Sequence, residues 1–420
     1  MKKNFLSFFI ITSMVFSTEY EVEKKALGLH FGSVNTKFIS KQFQGLTNNS
    51  LILNPIVIFT KKDLLYEFDI FFTESDFYAR KLYLEYNFRD SKFQLGRFHT
   101  KQSSEDFLLS SGSMIESGNA LGVPRIGSIT SKTFDNHHFN FSFYHGQLNR
   151  NQFLIDKPFL HEKKLYYSNS FQKNIFTIGL SHSVIWGGET TDNGKQPQRL
   201  EDFIRAVFGN PGDDNATNSD QINALGESIG MWDFSFEKEF DSYGIKIYHQ
   251  NFFEDGSGLS LNDNMNGFDG LWGMKIRHAK VRTVYEFLKT TYQGGSVHPP
   301  GLDSYYWSAA YRPGWVYNNQ TIGNMIISPE NNRVKAHFLS IGFFENNSNF
   351  LLFTFLKSKQ FYPYTGNTLD YENLMKDFSN TLYKEANIII KKDFGNYSIH
   401  GYFGSNFENE KIYASLYYNF

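Results

Sequence analysis

The chain has 420 residues and no cysteine. That excludes a disulfide scaffold and any cysteine-ligated metal or cluster. It also lacks an excess of either charge: 41 Lys and Arg stand against 43 Asp and Glu, a formal −2. A strongly basic nucleic-acid surface is therefore excluded, and no nucleic-acid partner is expected. Charged residues make up 20%, below the roughly 25% of ordinary soluble domains. Beyond the N-terminus no apolar run approaches the roughly 18 residues of a membrane helix. Nor does a Pro- or Ser-rich linker divide the chain, although its length alone suggests several soluble domains. What is abundant is aromatic surface, with 45 Phe, 25 Tyr and 5 Trp, or 18%. So much ring surface collapses out of water, which excludes disorder.

Lys2 and Lys3 precede an apolar stretch from Phe5 to Phe16, and Ser17 follows with Val15 two positions before it. This charged, apolar, small-residue order is that of a secretory signal peptide cleaved after Ser17. The expected division is a signal peptide over 1–17 and one exported unit over 18–420.

The dominant periodicity is two. From Leu64 to Phe72 one parity reads Leu, Tyr, Phe, Ile, Phe, and the other carries Glu67 and Asp69. Successive strand side chains point to opposite faces, so one face is apolar and the other charged. Tyr78, Leu82, Leu84, Tyr86 and Phe88 repeat the pattern, with Arg80 its one interruption. So do Phe139–Phe143, Phe176–Val184 and Trp232–Phe236. Short polar turns at Arg89–Lys92, Asp241–Ser242, Glu345–Asn349 and Asp393–Asn396 join neighbours. About 18 such segments of roughly ten residues are long enough to cross a bilayer as tilted strands, whereas sandwich strands run nearer five or six. Lipid offers no hydrogen bonds, so a sheet within it must close. The expected fold is all-β: a transmembrane outer-membrane β-barrel of about 18 antiparallel strands, with outer-membrane lipid around it.

The chain ends on an alternating strand in which Ile412, Ala414, Leu416, Tyr418 and Phe420 share one face. This resembles the terminal strand read by the bacterial outer-membrane insertion machinery, an expected partner. Long polar connections lie at Thr100–Val123, Gly187–Gly230, Glu254–Gly267, Gln293–Asp303, Arg312–Asn332 and Lys359–Ser379. In a barrel they are extracellular or fold into the lumen. Counting strands back from Phe420 places some of them at the opposite end, a mismatch centred on Arg312–Asn332.

Four stretches carry a resemblance. Gly112-Ser113-Met114-Ile115-Glu116-Ser117-Gly118-Asn119-Ala120, followed by Pro124-Arg125-Ile126, is similar to a segment of the capsule assembly Wzi family. So are Ser181–Glu189, then Tyr248–Gly258 continuing to Asp269–Gly273, and Gly314–Tyr317 with Ile322–Asn324. The resemblance spans about 110 to 330. It implies an outer-membrane barrel that binds capsular or extracellular polysaccharide and helps assemble or attach it at the cell surface. Better-known members carry a periplasmic helical bundle. Here only a short segment around Tyr20–Lys25 precedes the alternation near Leu27, so a handover depending on that bundle is not expected.

Sugar binding needs flat apolar faces for the C–H side of a pyranose and carboxylates or amides for its hydroxyls. Trp186, Trp272 and Trp315 are candidate platforms; Glu189, Asn251, Glu254, Asp255, Asp269 and Asn324 are candidate hydroxyl partners. Against this, tryptophans also form interface belts and lumen packing, and Asp-Gly pairs make turns.

Gly226-Glu227-Ser228-Ile229-Gly230 fits the nucleophile-elbow pattern but leads into a strand rather than a helix, so no hydrolase is expected. Asn262–Gly267 offers oxygen ligands, yet Gly273 stands where an EF-hand needs glutamate. His137 and His138 face opposite ways on a strand. No metal, cofactor or enzyme activity is expected. A porin-like channel for small solutes is the competing reading.

Overall fold

The computed structural model describes residues 21–33, 36–46, 51–74, 76–99, 104–254, 259, 264–293, 304–361 and 381–420. The signal peptide expected over 1–17 lies outside the described residues. Eighteen long strands follow in order. They are β1 Glu21–Gly32, β2 Leu51–Lys61, β3 Leu64–Phe72, β4 Phe77–Phe88, β5 Ser91–Arg97 and β6 Pro124–Phe134. Next come β7 His137–Gln147, β8 Phe159–Phe171, β9 Asn174–Trp186, β10 Glu227–Glu239, β11 Tyr243–Phe253 and β12 Gly270–His278. The last six are β13 Val281–Lys289, β14 Val334–Asn346, β15 Asn349–Gln360, β16 Leu382–Asp393, β17 Tyr397–Ser405 and β18 Glu410–Asn419. Each pairs antiparallel with its sequence neighbour, and β1 pairs with β18, closing the barrel. Alternation of the two faces runs through all of them. In β3, Glu67 and Asp69 are buried toward the lumen. Outward apolar residues such as Leu165, Ile247 and Phe343 are exposed to the surroundings, as a lipid-facing wall requires.

The interruption at Arg80 is a β-bulge. Asp69 pairs with Lys81 and Ile70 with Ala79, so Arg80 has no partner in the ladder. An unpaired extra residue re-aims its side chain. Arg80 lies 3.9 Å from Asp69 and stacks 4.6 Å over the Phe71 ring.

Turns such as Lys62–Asp63, Arg89–Asp90 and Gln172–Lys173 all lie at one end, together with the start of β1 and the end of β18. Every long connection leaves the other end: residues 33–50, 98–123, 148–158, 187–226, 254–269, 290–333 and 361–381. Outer-membrane barrels keep short turns in the periplasm and long loops outside. The parity mismatch thereby disappears. Gln293–Asp303 and Arg312–Asn332 belong to one connection between β13 and β14, and the described residues between them, Ser304–Tyr311, form turns instead of a strand.

Candidate functional site

Three of the long connections fold into the extracellular mouth and fill it. The first carries helix α1, Lys37–Gln42. Its N-terminal N–H groups have no partner within the helix. The lumen-facing Glu385 of β16 supplies one, accepting from Lys37 N at 2.7 Å and Phe38 N at 3.0 Å. The second connection carries helix α2, Ser104–Leu109. Lys41 of α1 donates to the carbonyls of Phe107 at 2.9 Å and Ser110 at 2.7 Å, placing a cation on the end of α2 where the backbone carbonyls are bare. From β13, Glu286 holds the same segment through Ser110 Oγ and Ser111 N, at 2.6 and 2.8 Å.

The third connection lies across the second. Trp315 donates its indole N–H to Ile115 O at 2.8 Å. Ser117 N donates to Ile322 O at 3.0 Å, and Asn119 Nδ2 to Thr321 O at 3.0 Å. Asn324 donates through Nδ2 to Ser111 Oγ at 3.1 Å and to Gly112 O. The Tyr306 hydroxyl donates to Met114 O and accepts from Asn324 N. Gly314 makes this crossing possible. Its φ is +106°, and a Cβ there would stand 1.9 Å from Tyr306 O.

An ion cluster fastens this plug to the wall. Arg125 at the start of β6 donates to Glu116 of the plug at 2.8 Å and to Glu162 of β8. Its guanidinium lies against both Phe98 and Tyr144, 4.7 and 5.0 Å from ring centroids that themselves meet edge to face at 5.6 Å. Lys164 and His99 also approach Glu116, at 3.4 and 3.3 Å. Burial pushes the Glu116 carboxyl up, but Arg125, Lys164 and His99 together outweigh it and hold the group well below the usual carboxylate range.

The plug separates two spaces. Below it an inner chamber of about 620 Å³ runs from Ser113, Ile115 and Glu116 to Arg89 and Asp90 in a periplasmic turn, walled by Gln94, Lys164 and Asp233. Above it an extracellular groove of about 400 Å³ lies between the β7–β8 connection and residues 311–319. One wall is Asn149, Arg150, Asn151, Gln152 and the half-buried ring of Phe153. The other is a small hairpin, Val316–Tyr317 paired with Gln320–Thr321. Its turn residues Asn318 and Asn319 have φ of 49° and 60°, the doubly left-handed turn that asparagine tolerates. Asn149 Nδ2 donates to Asn318 Oδ1 across the groove at 3.1 Å. Arg312 lies over Phe153 at 5.9 Å and pairs with Asp192 at 3.3 Å. Exposed amides both donate and accept, and an aromatic face stands beside them, a set suited to hydroxyl-rich ligands.

The residues singled out in sequence mostly build scaffold. Trp186 faces outward and is 4% exposed, packed with Phe159 beneath helix α3, Leu200–Phe208, which lies on the outer wall through Phe203 and Ala206. Trp315 is 0% exposed within the plug, so neither ring offers a face to a sugar. Trp272 is exposed on the outer wall of β12 near the extracellular end, stacked 3.7 Å from His249, the position of an interface-belt residue. Asn251 and Asp269 clasp each other through Asn251 Nδ2 and Asp269 O at 3.0 Å, and Asp269 Oδ2 accepts from Tyr292 N and Gln293 N. Glu254 accepts from Tyr306 N at 2.7 Å, and Asn324 is buried in the plug. Glu189 pairs with Lys195 and Asp156 in a small sheet beside the groove. Asp255 lies outside the described residues, as do Asn262 and Asp263 of the oxygen-rich loop. Among the described residues no three His, Asp or Glu gather into a metal-sized cluster. The groove itself escaped the sequence reading. Its only signal is the run of amides and arginine around Phe153, matched by Asn318-Asn319.

Ser228 of the elbow-like stretch sits in β10, 2.8 Å from His182 Nε2, and His182 Nδ1 lies 2.7 Å from Lys163 Nζ. An ammonium only donates, so Nδ1 accepts and Nε2 carries the proton that faces Ser228. That imidazole has no free lone pair for a serine proton.

The family model of capsule assembly protein Wzi matches residues 15–352. The chain belongs to the Wzi capsule assembly family. No curated protein matches it. Among solved structures it is similar to Escherichia coli Wzi, described as an outer-membrane, carbohydrate-binding β-barrel involved in group 1 capsule assembly. The likeness has a TM-score of 0.65 at 13% identity, covering 98% of this chain and 86% of that one. The Pseudomonas aeruginosa barrel OccK5 matches less well, with a TM-score of 0.44 at 8% identity over 96% of this chain and 97% of that one. The expected 18-stranded outer-membrane barrel is what this Wzi-family chain forms, and two of the four family-like stretches, Gly112–Ala120 and Gly314–Asn324, are the ones interlocked in its plug.

Proposed function

We propose that this barrel binds capsular or extracellular polysaccharide at the cell surface, in the groove between Asn149–Phe153 and Arg312–Asn319, and helps assemble or attach it without catalysing a reaction. The observation that carries this reading is that amide-rich groove, open to the outside and backed by a plug. Its volume suits a few sugar units. Membership of a capsule assembly family supports the choice of ligand, and so does the carbohydrate binding of the Escherichia coli protein. The proton arrangement at His182 argues against hydrolysis by Ser228. Outer-membrane lipid surrounds the wall, and the strand ending at Phe420 is the handle for the insertion machinery.

Purified barrel, folded in detergent, is passed over immobilised polysaccharide from the cells that make it and over dextran. Retention on the first and not on the second is expected. Equal passage over both removes the reading. Among the described residues the inner chamber is the feature that favours a solute channel, and the plug lies between it and the extracellular groove.

A further inference from the structure

The outward faces of β14, β15 and β16 carry an unusual charge arrangement near their extracellular ends. Lys335 pairs in register with Lys359, and Lys357 with Lys384. Like charges placed directly opposite on one face of a sheet repel. Among the described residues no ion pair compensates Lys335, Lys357 or Lys384. The Lys335 and Lys359 ammonium groups each lie 5.3 Å from the Phe361 ring, so both approach the same side chain.

The level of this ladder is set by β16. Its outward side chains Lys384 and Lys392 bracket Ala386, Ile388 and Ile390, a separation of roughly 26 Å along a strand, or about 20 Å along the bilayer normal at a tilt of about 40°, to which the two extended lysine stems add several more. Lys392 pairs with Glu345 beside the periplasmic turn, at 3.2 Å. The apolar band of an outer-membrane barrel is roughly 25 Å tall. Lys384 and its neighbours therefore stand where the outer leaflet's headgroups begin.

Beneath them the wall is indented. The β16–β17 ladder stops at the pair Ala386 and Ser405, whereas β16 continues to Leu382 and β15 to Gln360. The step leaves an outward groove of about 720 Å³ walled mainly by Leu339, Phe353, Phe355, Ile388, Phe403 and Ile412, with Glu410 and Lys411 also lining it. A groove of this kind on a lipid-facing wall accepts acyl chains, and lysines above it are point charges suited to phosphate.

We propose that this face binds a phosphorylated membrane lipid, with phosphate among Lys335, Lys357, Lys359 and Lys384 and acyl chains in the groove below. The site does not depend on the polysaccharide reading, since it lies on the outer wall and uses none of the same residues.

The test is native mass spectrometry of the delipidated, detergent-folded barrel, titrated with a phosphorylated, multiply acylated glycolipid or with the same glycolipid stripped of phosphate. The phosphorylated form is expected to bind more tightly. In Lys357→Gln/Lys384→Gln that affinity falls about twenty-fivefold, taking each lysine as roughly fivefold. Lys357→Arg/Lys384→Arg keeps it, and millimolar inorganic phosphate does not displace the lipid. Heat-modifiable migration confirms that each variant is folded. Equal binding of the two glycolipids, undiminished binding by the glutamine variant, or displacement by inorganic phosphate would each overturn the proposal.

Discussion

Trp315 and Ile115 are 200 residues apart in sequence and joined by a 2.8 Å hydrogen bond from the indole N–H to the backbone carbonyl. Around that bond two of the family-like stretches interdigitate inside the extracellular end of the barrel. The crossing lays a buried plug across an 18-stranded cylinder, with an inner chamber on the periplasmic side and a groove facing out.

Replacing Trp315 tests the stopper directly. Trp315→Ala removes a fully buried ring and costs about 3–5 kcal/mol. Trp315→Phe keeps most of the volume and loses the hydrogen bond, leaving Ile115 O unpaired, about 1–3 kcal/mol. The midpoint of heat-modifiable unfolding is expected to fall in the order wild type, Phe, Ala. A Phe variant as stable as wild type would show that the bond contributes nothing.

Arg125 separates two buried carboxylates. Arg125→Met strands Glu116 and Glu162 without a shared cation, a loss of about 3–5 kcal/mol. Adding Glu116→Gln and Glu162→Gln removes the stranded charges and is expected to recover more than half of it. The same unfolding midpoint reads both effects.

The pH dependence of the latch has a definite sign. Glu116 is held well below the usual carboxylate range because Arg125, Lys164 and His99 overcome its burial. A group depressed in the folded state stabilises it above the unfolded value and ceases to do so as pH falls through the folded one. In planar bilayers the barrel is therefore expected to stay closed at pH 7 and pH 5, with openings appearing only well below pH 4.5. In Glu116→Gln, which lacks the titrating group, openings appear already at pH 7. Large steady conductance of the wild type at pH 7 would instead favour the channel reading.

The wall was legible in the sequence because strand alternation is local: each face of β3 or β10 can be read from adjacent residues. The bulge at Arg80 left its mark there as a broken parity. The plug was not legible, because its contacts are non-local. Nothing near Trp315 announces Ile115, and nothing near Glu116 announces Glu162. Aromatic and amide residues do gather in the family-like loops, but whether a tryptophan faces a sugar or another loop depends on what crosses it. Ser304–Tyr311 interrupted one long connection with aromatic residues, and so divided it in two. Tyr305 and Tyr306 are instead buried inside the plug. The extracellular groove joins residues about 160 apart, such as Asn151 and Arg312, and its amides carry no spacing of their own.

The most direct test of surface glycan binding is an equilibrium titration of the cells' own polysaccharide with wild-type barrel and with Gln152→Ala/Phe153→Ala. Both substitutions lie in the groove, away from the plug's hydrogen bonds. The expected result is affinity at least about tenfold weaker, a loss of roughly 1.4 kcal/mol, with the unfolding midpoint unchanged. Undiminished affinity in a folded variant would contradict the assignment of the ligand to that groove.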